Sequence, residues 1–590
     1  MMAKSPGFAA IAIGSLALGI GVNTAIFTAA QHMLLDRLQV PHPEQLRLFR
    51  WTQPSHGVVE DLWGWWDDGP WGASSTSFSY PVYEQVRREN RVLADLFAFK
   101  PYGRMTATIG GQAEPVGAEM VSGNYYSTLE VRPQLGRGIQ ESDDGAEGSG
   151  PVVVISDEFW GKRFGHSQDV IGKTILVNST PMAIVGVNPP GFTGAYSAQD
   201  RPDIYLPFSM QLIVAPQNLD SDAHHSLLVN RKLWWVLMMG RVKPGVSEAA
   251  ASASLNVQLS AAVRATMAVK DDGRLPRLIL DDGSRGQNPN AEGLTKPVYV
   301  LMGLAGLVLL LACANLANLL LARAEARQRE MSVRMALGAG RGRILRQMMT
   351  ESLLLSLIGG LAGLLLAWAV RNAIPRLLSH SWDQPAFAAR LSWPILLFAA
   401  AVSVLTGLIF GLAPAWHAVR VQVSSGLKDS GQTVTHRRRG LAGKAIVVIQ
   451  VALSMLLVIG AGLFVQTLVR LGQSPLGFRS HNLLLFSVQP PETQYPGEAS
   501  VPLLQQIETK IAAVPGVESA TLTRVPLVSG NVSNLTFVAE GQQYKREERP
   551  SVLANLVGRN FLCDIRDSDT HRTRLQCGRY TNFAPGCCGE

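Results

Sequence analysis

Cysteine is scarce in this chain, and charge is thin. Five cysteines occur in 590 residues, and 17% of the residues are charged, against roughly 25% in an ordinary soluble domain. No two cysteines fall between residues 38 and 295, so that stretch cannot rest on disulfides. A phosphate cradle of the form G-x-x-x-x-G-K-[ST] is also missing: Gly172-Lys173-Thr174 comes nearest, but Ser167 stands where the leading glycine belongs, which leaves no nucleotide site in the chain. His224-His225 lacks an H-E-x-x-H frame and reads as a solvated loop. Asp143-Asp144 and Asp281-Asp282, each followed by glycine, read as exposed turns. With no Ser/His/Asp or Cys/His frame, the chain is not expected to be an enzyme or to hold a metal or cofactor.

What is present explains the thin charge. Five long apolar runs lie near 8–30, 297–322, 353–370, 393–414 and 445–468. A bilayer core takes about 20 apolar residues of helix to cross, and in hydrocarbon the backbone must satisfy its own hydrogen bonds. The expected fold class is therefore membrane α-helical, with about five transmembrane helices, plus an α+β extracytoplasmic domain over 38–295. Within that domain Leu46–Trp51, Pro151–Ser156, Lys173–Asn178 and Met182–Val187 read as strands. Tyr83–Asn90, Asp157–Gly165 and Ser247–Ala268 read as helices, and Gln31–Val40 as an amphipathic continuation of the first span. Trp63, Trp65, Trp66 and Trp71 read first as loop packing, with an apolar ligand or the membrane interface as alternatives.

The formal net charge of +8 is concentrated between spans. Arg323, Arg327, Arg329, Arg334, Arg341, Arg343 and Arg346 face only Glu325, Glu330 and Glu351, and Arg420, Lys428, Arg437, Arg438, Arg439 and Lys444 face only Asp429. Short basic loops beside spans mark the cytoplasmic side, so the charge points to a lipid bilayer and not to nucleic acid. This puts the N-terminus inside as a retained anchor and residues 38–295 outside. The stretch Glu325–Leu355 is expected to form an amphipathic helix on the cytoplasmic surface, fit to dock a partner.

The pattern then starts again. Residues 419–444 form a polar linker, 445–468 a fifth span, and 472–560 the start of a second similar outer domain, with strands at Asn482–Val488 and Gly516–Arg524 and an amphipathic helix at Val501–Val514. Residues 561–590 break the pattern and hold Cys563, Cys577, Cys587 and Cys588 in no zinc-like spacing. With a one-base shift, one permitted back-translation parallels Asn124–Leu129, Gly136-Arg137 and Pro151–Val154, so the tail reads as frameshifted.

Glu330, Arg334, Ala336–Ala339, Gln347 and Glu351 resemble the FtsX-like permease family over 297–418. Ser79-Tyr80-Pro81, Ser122–Leu129, Gly136-Arg137, Gly172-Lys173-Thr174, Ile184–Val187 and Gly191-Phe192 resemble a MacB-like periplasmic core domain. The layout is similar to doubled permeases of this kind without their own ATPase, its second repeat truncated. That resemblance implies a bacterial inner-membrane ABC permease subunit coupling a separate cytoplasmic ABC ATPase subunit to periplasmic domain motion, for export or mechanotransmission. It implies docking through Arg327, Glu330, Arg334, Gly338 and Arg341, with periplasmic or outer-membrane partners or a dimeric copy as further partners. A membrane signalling relay, or an inactive product of a frameshifted gene, are the rival readings.

Overall fold

The computed structural model describes residues 6–473 apart from 55–56, 60, 70–71, 197–200, 217–225, 268, 270–271, 288–290, 327–340, 371–391 and 420–434; beyond 473 it describes chiefly 482–488, 499–527, 533–536 and 551–558. The chain divides into two units, residues 1–36 with 288–473 and residues 37–287 with 474–590. Nine helices of eight residues or more lie among the described residues: α1 Pro6–Ala30, α2 Tyr80–Glu89, α3 Asp157–Phe164, α4 Glu248–Thr266, α5 Ala291–Ala326, α6 Arg341–Val370, α7 Trp393–Val419, α8 Thr435–Gln473 and α9 Ser500–Ala512.

The first unit is helical. Four helices hold apolar spans long enough to cross a bilayer: Pro6–Ala30, Val298–Leu320, Leu345–Val370 and Val447–Arg470. The fifth apolar helix, α7, is apolar over the shorter stretch Trp393–Ile409. The expected count of about five stands.

The second unit is built on a mixed sheet of thirteen strands. Its main strands are β1 Leu46–Gln53, β2 Trp66–Gly69, β3 Gly72–Ser75, β4 Leu93–Ile109, β5 Gln112–Val121, β6 Val152–Ile155, β7 Thr174–Val177, β8 Thr180–Val187, β9 Ile204–Pro207, β10 Val236–Val242 and β11 Arg277–Asp282. They run in the order β7-β8-β6-β9-β5-β4-β10-β1-β3-β2, with β11 on β1. The strand β4 is 17 residues long and serves two parts of this path. Its first half pairs with β10, from Leu93↔Val242 to Phe99↔Leu237. Its far end meets β7 at Ala107 and Thr108, which closes the path on itself. Gly110 and Gly111, at φ 56° and 82°, make the turn into β5, the two-residue geometry whose twist matches a hairpin.

Alternation along the strands makes the sheet bury apolar residues on both faces. In β4, Leu96 and Ala98 join one core cluster while Phe97 and Phe99 join the other. In β1, Phe49 and Trp51 face the first cluster and Leu46 and Leu48 the second. Helices α2 and α4 cover the first face through Val82, Tyr83, Val86, Leu255, Leu259 and Val263. The second face is covered by the short helix Tyr125–Leu129, the Phe192 loop and, unexpectedly, the chain that follows α1: Leu38 and Val40 are part of this core.

That last feature corrects the expected helical continuation. After α1 the chain makes one π-type turn, Gln31–Leu35, and Asp36 is already extended. Leu38 and Val40 sit two apart, which suits an extended strand edge, and Pro41 and Pro43 forbid further helix. Burying two aliphatic side chains contributes on the order of 3 kcal/mol, more than propensity alone would give a last helical turn.

The incoming and outgoing segments of this unit lie side by side. Leu38 N–H donates to the Ser284 carbonyl at 2.8 Å, and β1 pairs antiparallel with β11 from Arg47↔Asp282 to Thr52↔Arg277. Arg241, only 5% exposed, secures the incoming segment: it donates to the Pro41 and His42 carbonyls at 2.9 Å each, to Gln45 Oε1 at 3.2 Å and to the Thr128 carbonyl at 3.3 Å. Past the helices, α9 buries no residue, and strands β12 Ser533–Thr536 and β13 Ser551–Ala554 pair only with each other. The expected strand at 482–488 has no ladder among the described residues, and 516–524 contributes a single bridge, Thr523↔Val557. An apolar alternation becomes a strand only where a neighbour accepts its hydrogen bonds.

Arg241→Met keeps the aliphatic stem and strips the donors from four acceptors in a buried setting. Each abandoned group costs about 1–3 kcal/mol, so the expected outcome is a clear fall in unfolding temperature together with new protease cleavage near residues 41–45. Thermal unfolding and limited proteolysis of the purified full chain check it.

Candidate functional site

Of the residues expected to dock a partner, Arg327, Glu330, Arg334 and Gly338 lie outside the described residues. Arg341 is the first residue of α6. Helix α5 ends at Ala326 and α6 starts at Arg341, so the stretch is flanked by two helices that continue into spans. With four of the five outside the described residues, the docking assignment stays a matter for the sequence.

What the structure does show is how the spans hold one another. In lipid, apolar side chains gain little by leaving the solvent, so helices associate through close packing and polar contacts. A Cβ on Gly21 of α1 would sit 2.9 Å from the Gly363 carbonyl oxygen of α6, and one on Gly363 would sit 2.9 Å from the Ala17 carbonyl oxygen. The two backbones touch there. On another side of α1, Asn23 donates to the Ala305 carbonyl of α5 at 2.6 Å as well as to its own Gly19 carbonyl at 2.8 Å. Ser352 of α6 donates to the Gly407 carbonyl of α7 at 3.1 Å, and Phe27 stacks on Phe398 with centroids 4.1 Å apart. The two helices that lead into and out of the sheet unit, α1 and α5, are thus in direct contact.

The aromatic group singled out in the sequence packs as a structural element. Trp66 meets Trp51 edge-on at 6.1 Å, and Trp51 meets Trp234 at 5.4 Å. Trp63 meets Tyr102 at 5.5 Å, while Trp71 is outside the described residues. Beneath Trp63 lies a group that the sequence did not single out. Lys100 is 6% exposed; its Nζ donates to the Trp63 carbonyl at 2.9 Å and rests 4.8 Å from the ring centroid. Burial pulls its pKa from the usual 10.5 down to about 7. The lysine directly follows the apolar run Leu96–Phe99, and Pro101 and Gly103 just after it disfavour a strand.

Of the acidic pairs, Asp143 and Asp144 are held within the fold, while Asp282 is exposed at the start of a turn, as expected. Asp143 is buried and takes both guanidinium nitrogens of Arg137, at 2.5 and 2.9 Å. Asp144 accepts the backbone N–H groups of Gly123 at 2.9 Å and Ser209 at 2.8 Å, and burial raises its pKa to about 6. Asp281 pairs with Arg50 at 2.6 and 3.0 Å within the sheet, and Asp282 caps a turn through the Ser284 N–H. Each carboxylate is committed to holding backbone or arginine in place. No cluster of three or more metal-ligating side chains occurs among the described residues, and His224-His225 lies outside them.

Comparison with known proteins adds the following. The model of the MacB-like periplasmic core domain matches residues 9–257, and that of the FtsX-like permease C-terminal domain matches residues 302–423. The pyoverdine export ATP-binding/permease protein PvdT of Pseudomonas syringae pv. tomato is 31% identical over 284 residues, 48% of this chain and 38% of that protein. The macrolide export ATP-binding/permease protein MacB of Escherichia coli O157:H7 is 25% identical over 305 residues, 52% of this chain and 42% of that protein. The chain thus spans about two-fifths of the length of these relatives. Among solved structures, the periplasmic region of MacB from Actinobacillus actinomycetemcomitans aligns with TM-score 0.27 and 12% identity, over 43% of this chain and 92% of that one.

Gly21→Leu should push α1 from α6, because the contact at Gly363 is backbone and cannot yield. The expected outcome is protein that inserts but unfolds at lower temperature in detergent, whereas Gly14→Leu, which faces open space, leaves the midpoint unchanged. Lys100 sets a pH dependence. With a folded pKa of about 7 below the unfolded 10.5, the unfolded chain binds more protons between those values, so this residue adds stability as pH rises from 7 toward 10.5. Lys100→Met should raise the unfolding temperature at pH 7 and flatten the rise between pH 7 and 9.5, as thermal scans across that range would record.

Proposed function

We propose that this chain, whose residues 9–257 match the MacB-like periplasmic core domain and residues 302–423 the FtsX-like permease C-terminal domain, is the permease subunit of an ABC-type transporter in a bacterial inner membrane. In this reading α1 and α5–α8 cross the bilayer, the N-terminus faces the cytoplasm, and the sheet unit of residues 37–287 faces the periplasm. A separate cytoplasmic ATPase docks on the 327–340 stretch and supplies the drive. Residues 472–560 begin a second periplasmic domain.

One observation carries the reading. The segment after α1 and the segment before α5 are bound into the same edge of the sheet, through Leu38 to Ser284 and the β1–β11 ladder, while α1 and α5 themselves are joined through Asn23 and Ala305. In this reading, force applied to the cytoplasmic end of α5 passes to α1 through the Asn23 contact. Such a connection suits coupling, in which ATP-driven helix motion becomes motion of an outer domain. The stretch between α5 and α6 is strongly basic, so a docking groove on the ATPase would present carboxylates to Arg327, Arg334 and Arg341.

Charge reversal tests this. Arg334→Glu combined with Arg341→Glu should abolish recovery of the ABC ATPase that copurifies with the unsubstituted chain in a pull-down from detergent-solubilised membranes, with the amount of permease in the membrane unchanged. Undiminished recovery would remove these residues from the docking surface.

A further inference from the structure

Helix α8 differs from the other spans in how it is held. In α1 and α6, 33% of the span is buried within the protein; in Val447–Arg470 of α8, 0% is. Val448, Met455, Val458 and Leu463 are all more than half exposed. A smooth apolar helix in lipid has no hydrophobic reason to stay at one height on its neighbour. Yet α8 carries a glutamine near each end of its apolar stretch, Gln450 and Gln466, and α5 carries two asparagines, Asn315 and Asn318, one turn apart and so on a single face.

These three side chains meet. Asn318 Nδ2 donates to Gln450 Oε1 at 2.7 Å, and Gln450 Nε2 donates to Asn315 Oδ1. The glutamine amide thus uses its donor and its acceptor at once, each on a different turn of α5. A second contact lies farther along: a Cβ on Gly460 would be 3.7 Å from Leu304 Cδ2. Ten residues separate Gln450 from Gly460 on α8, and 11 to 14 separate Leu304 from Asn315 and Asn318 on α5. The helices therefore run antiparallel over about 15 Å.

We propose that Asn315, Asn318 and Gln450 form a registration lock that seats α8 on α5 at one height. Sliding α8 by one turn moves the amide about 5.4 Å and breaks both bonds, leaving an amide unsatisfied in hydrocarbon, where nothing else accepts or donates. The partner of the α5 face is thus α8 of the same chain, and the chemistry that selects it is amide-to-amide hydrogen bonding. Because α5 leads directly into the 327–340 stretch, the lock makes α8 move with whatever moves α5. The lock itself stands whether or not an ATPase docks there.

Cysteine cross-linking in native membranes tests it. In the full chain with its five cysteines replaced by serine, Leu304→Cys and Gly460→Cys should oxidise rapidly to a disulfide with copper phenanthroline. Adding Gln450→Leu, which favours insertion and so leaves the membrane level intact, should lower the initial rate about threefold or more. Asn315→Ala with Asn318→Ala should produce the same loss, and combining both sets should lower it no further. Ser454→Ala on the same helix should leave the rate unchanged. An unchanged rate with Gln450→Leu, or losses that add when the two sets are combined, would overturn the lock. Because the readout is a disulfide within this chain and not recovery of an ATPase, its failure is separate from failure of the docking assignment.

Discussion

The antiparallel ladder between β1 and β11 is the constraint on which the coupling argument depends. It pairs the first strand after one span with the last strand before the next, from Arg47↔Asp282 to Thr52↔Arg277. Two segments some 230 residues apart in sequence thereby become neighbours, and the loop between them closes into a domain. Leu38 and Val40 extend the attachment past the strand into the core, and the Arg241 guanidinium ties down the two proline-flanked residues between. A lead held in this way cannot bend freely.

The same chain meets two solvents and solves each differently. In the sheet unit, large rings dominate: Trp51, Phe78, Trp234 and Trp235 are wholly buried, and water makes such burial favourable. Among the spans, ring burial contributes little and backbone proximity takes over. Gly21 against Gly363 brings two main chains together, and polar side chains bridge to a carbonyl of the neighbouring helix at Asn23 and Ser352. The buried carboxylates of the sheet unit follow a third logic. Asp143 and Asp144 organise a loop by accepting from Arg137, Gly123 and Ser209, so they serve the fold and not chemistry.

Legibility in the sequence tracks how local the deciding force was. The spans were readable because bilayer thickness is a length filter that composition alone can pass. Strand β6 was readable from its unbroken valine run, and β7 and β8 as two apolar runs either side of a short break, where Asn178 and Ser179 adopt the left-handed region, φ 45° and 69°. Strand β4 was not, because Lys100, Pro101 and Gly103 sit in its middle; a bulge between Pro101 and Gly103 and neighbours on both edges carry the strand through a sequence that favours a turn. The extended course of Leu38–Val40 was missed for the same reason, since its partner Ser284 lies far along the chain. The docking residues were legible as charge and resemblance, and of these only Arg341 falls among the described residues.

A final contrast concerns the first and fifth spans. Both follow basic residues and both lead toward segments expected outside the membrane, so the sequence presents them as equivalents. Their attachment is not equivalent. Helix α1 is wedged by glycine contacts that admit no sliding without collision, because the obstacle is the Gly363 backbone itself. Helix α8 is held at Gln450 and near Gly460, with the rest of its surface turned to lipid. Steric wedging resists separation and sliding alike, whereas an amide bridge resists sliding most strongly and can reform after release. Among the described residues the first unit is thus a core of α1, α5, α6 and α7, with α8 seated on it through Gln450 and near Gly460.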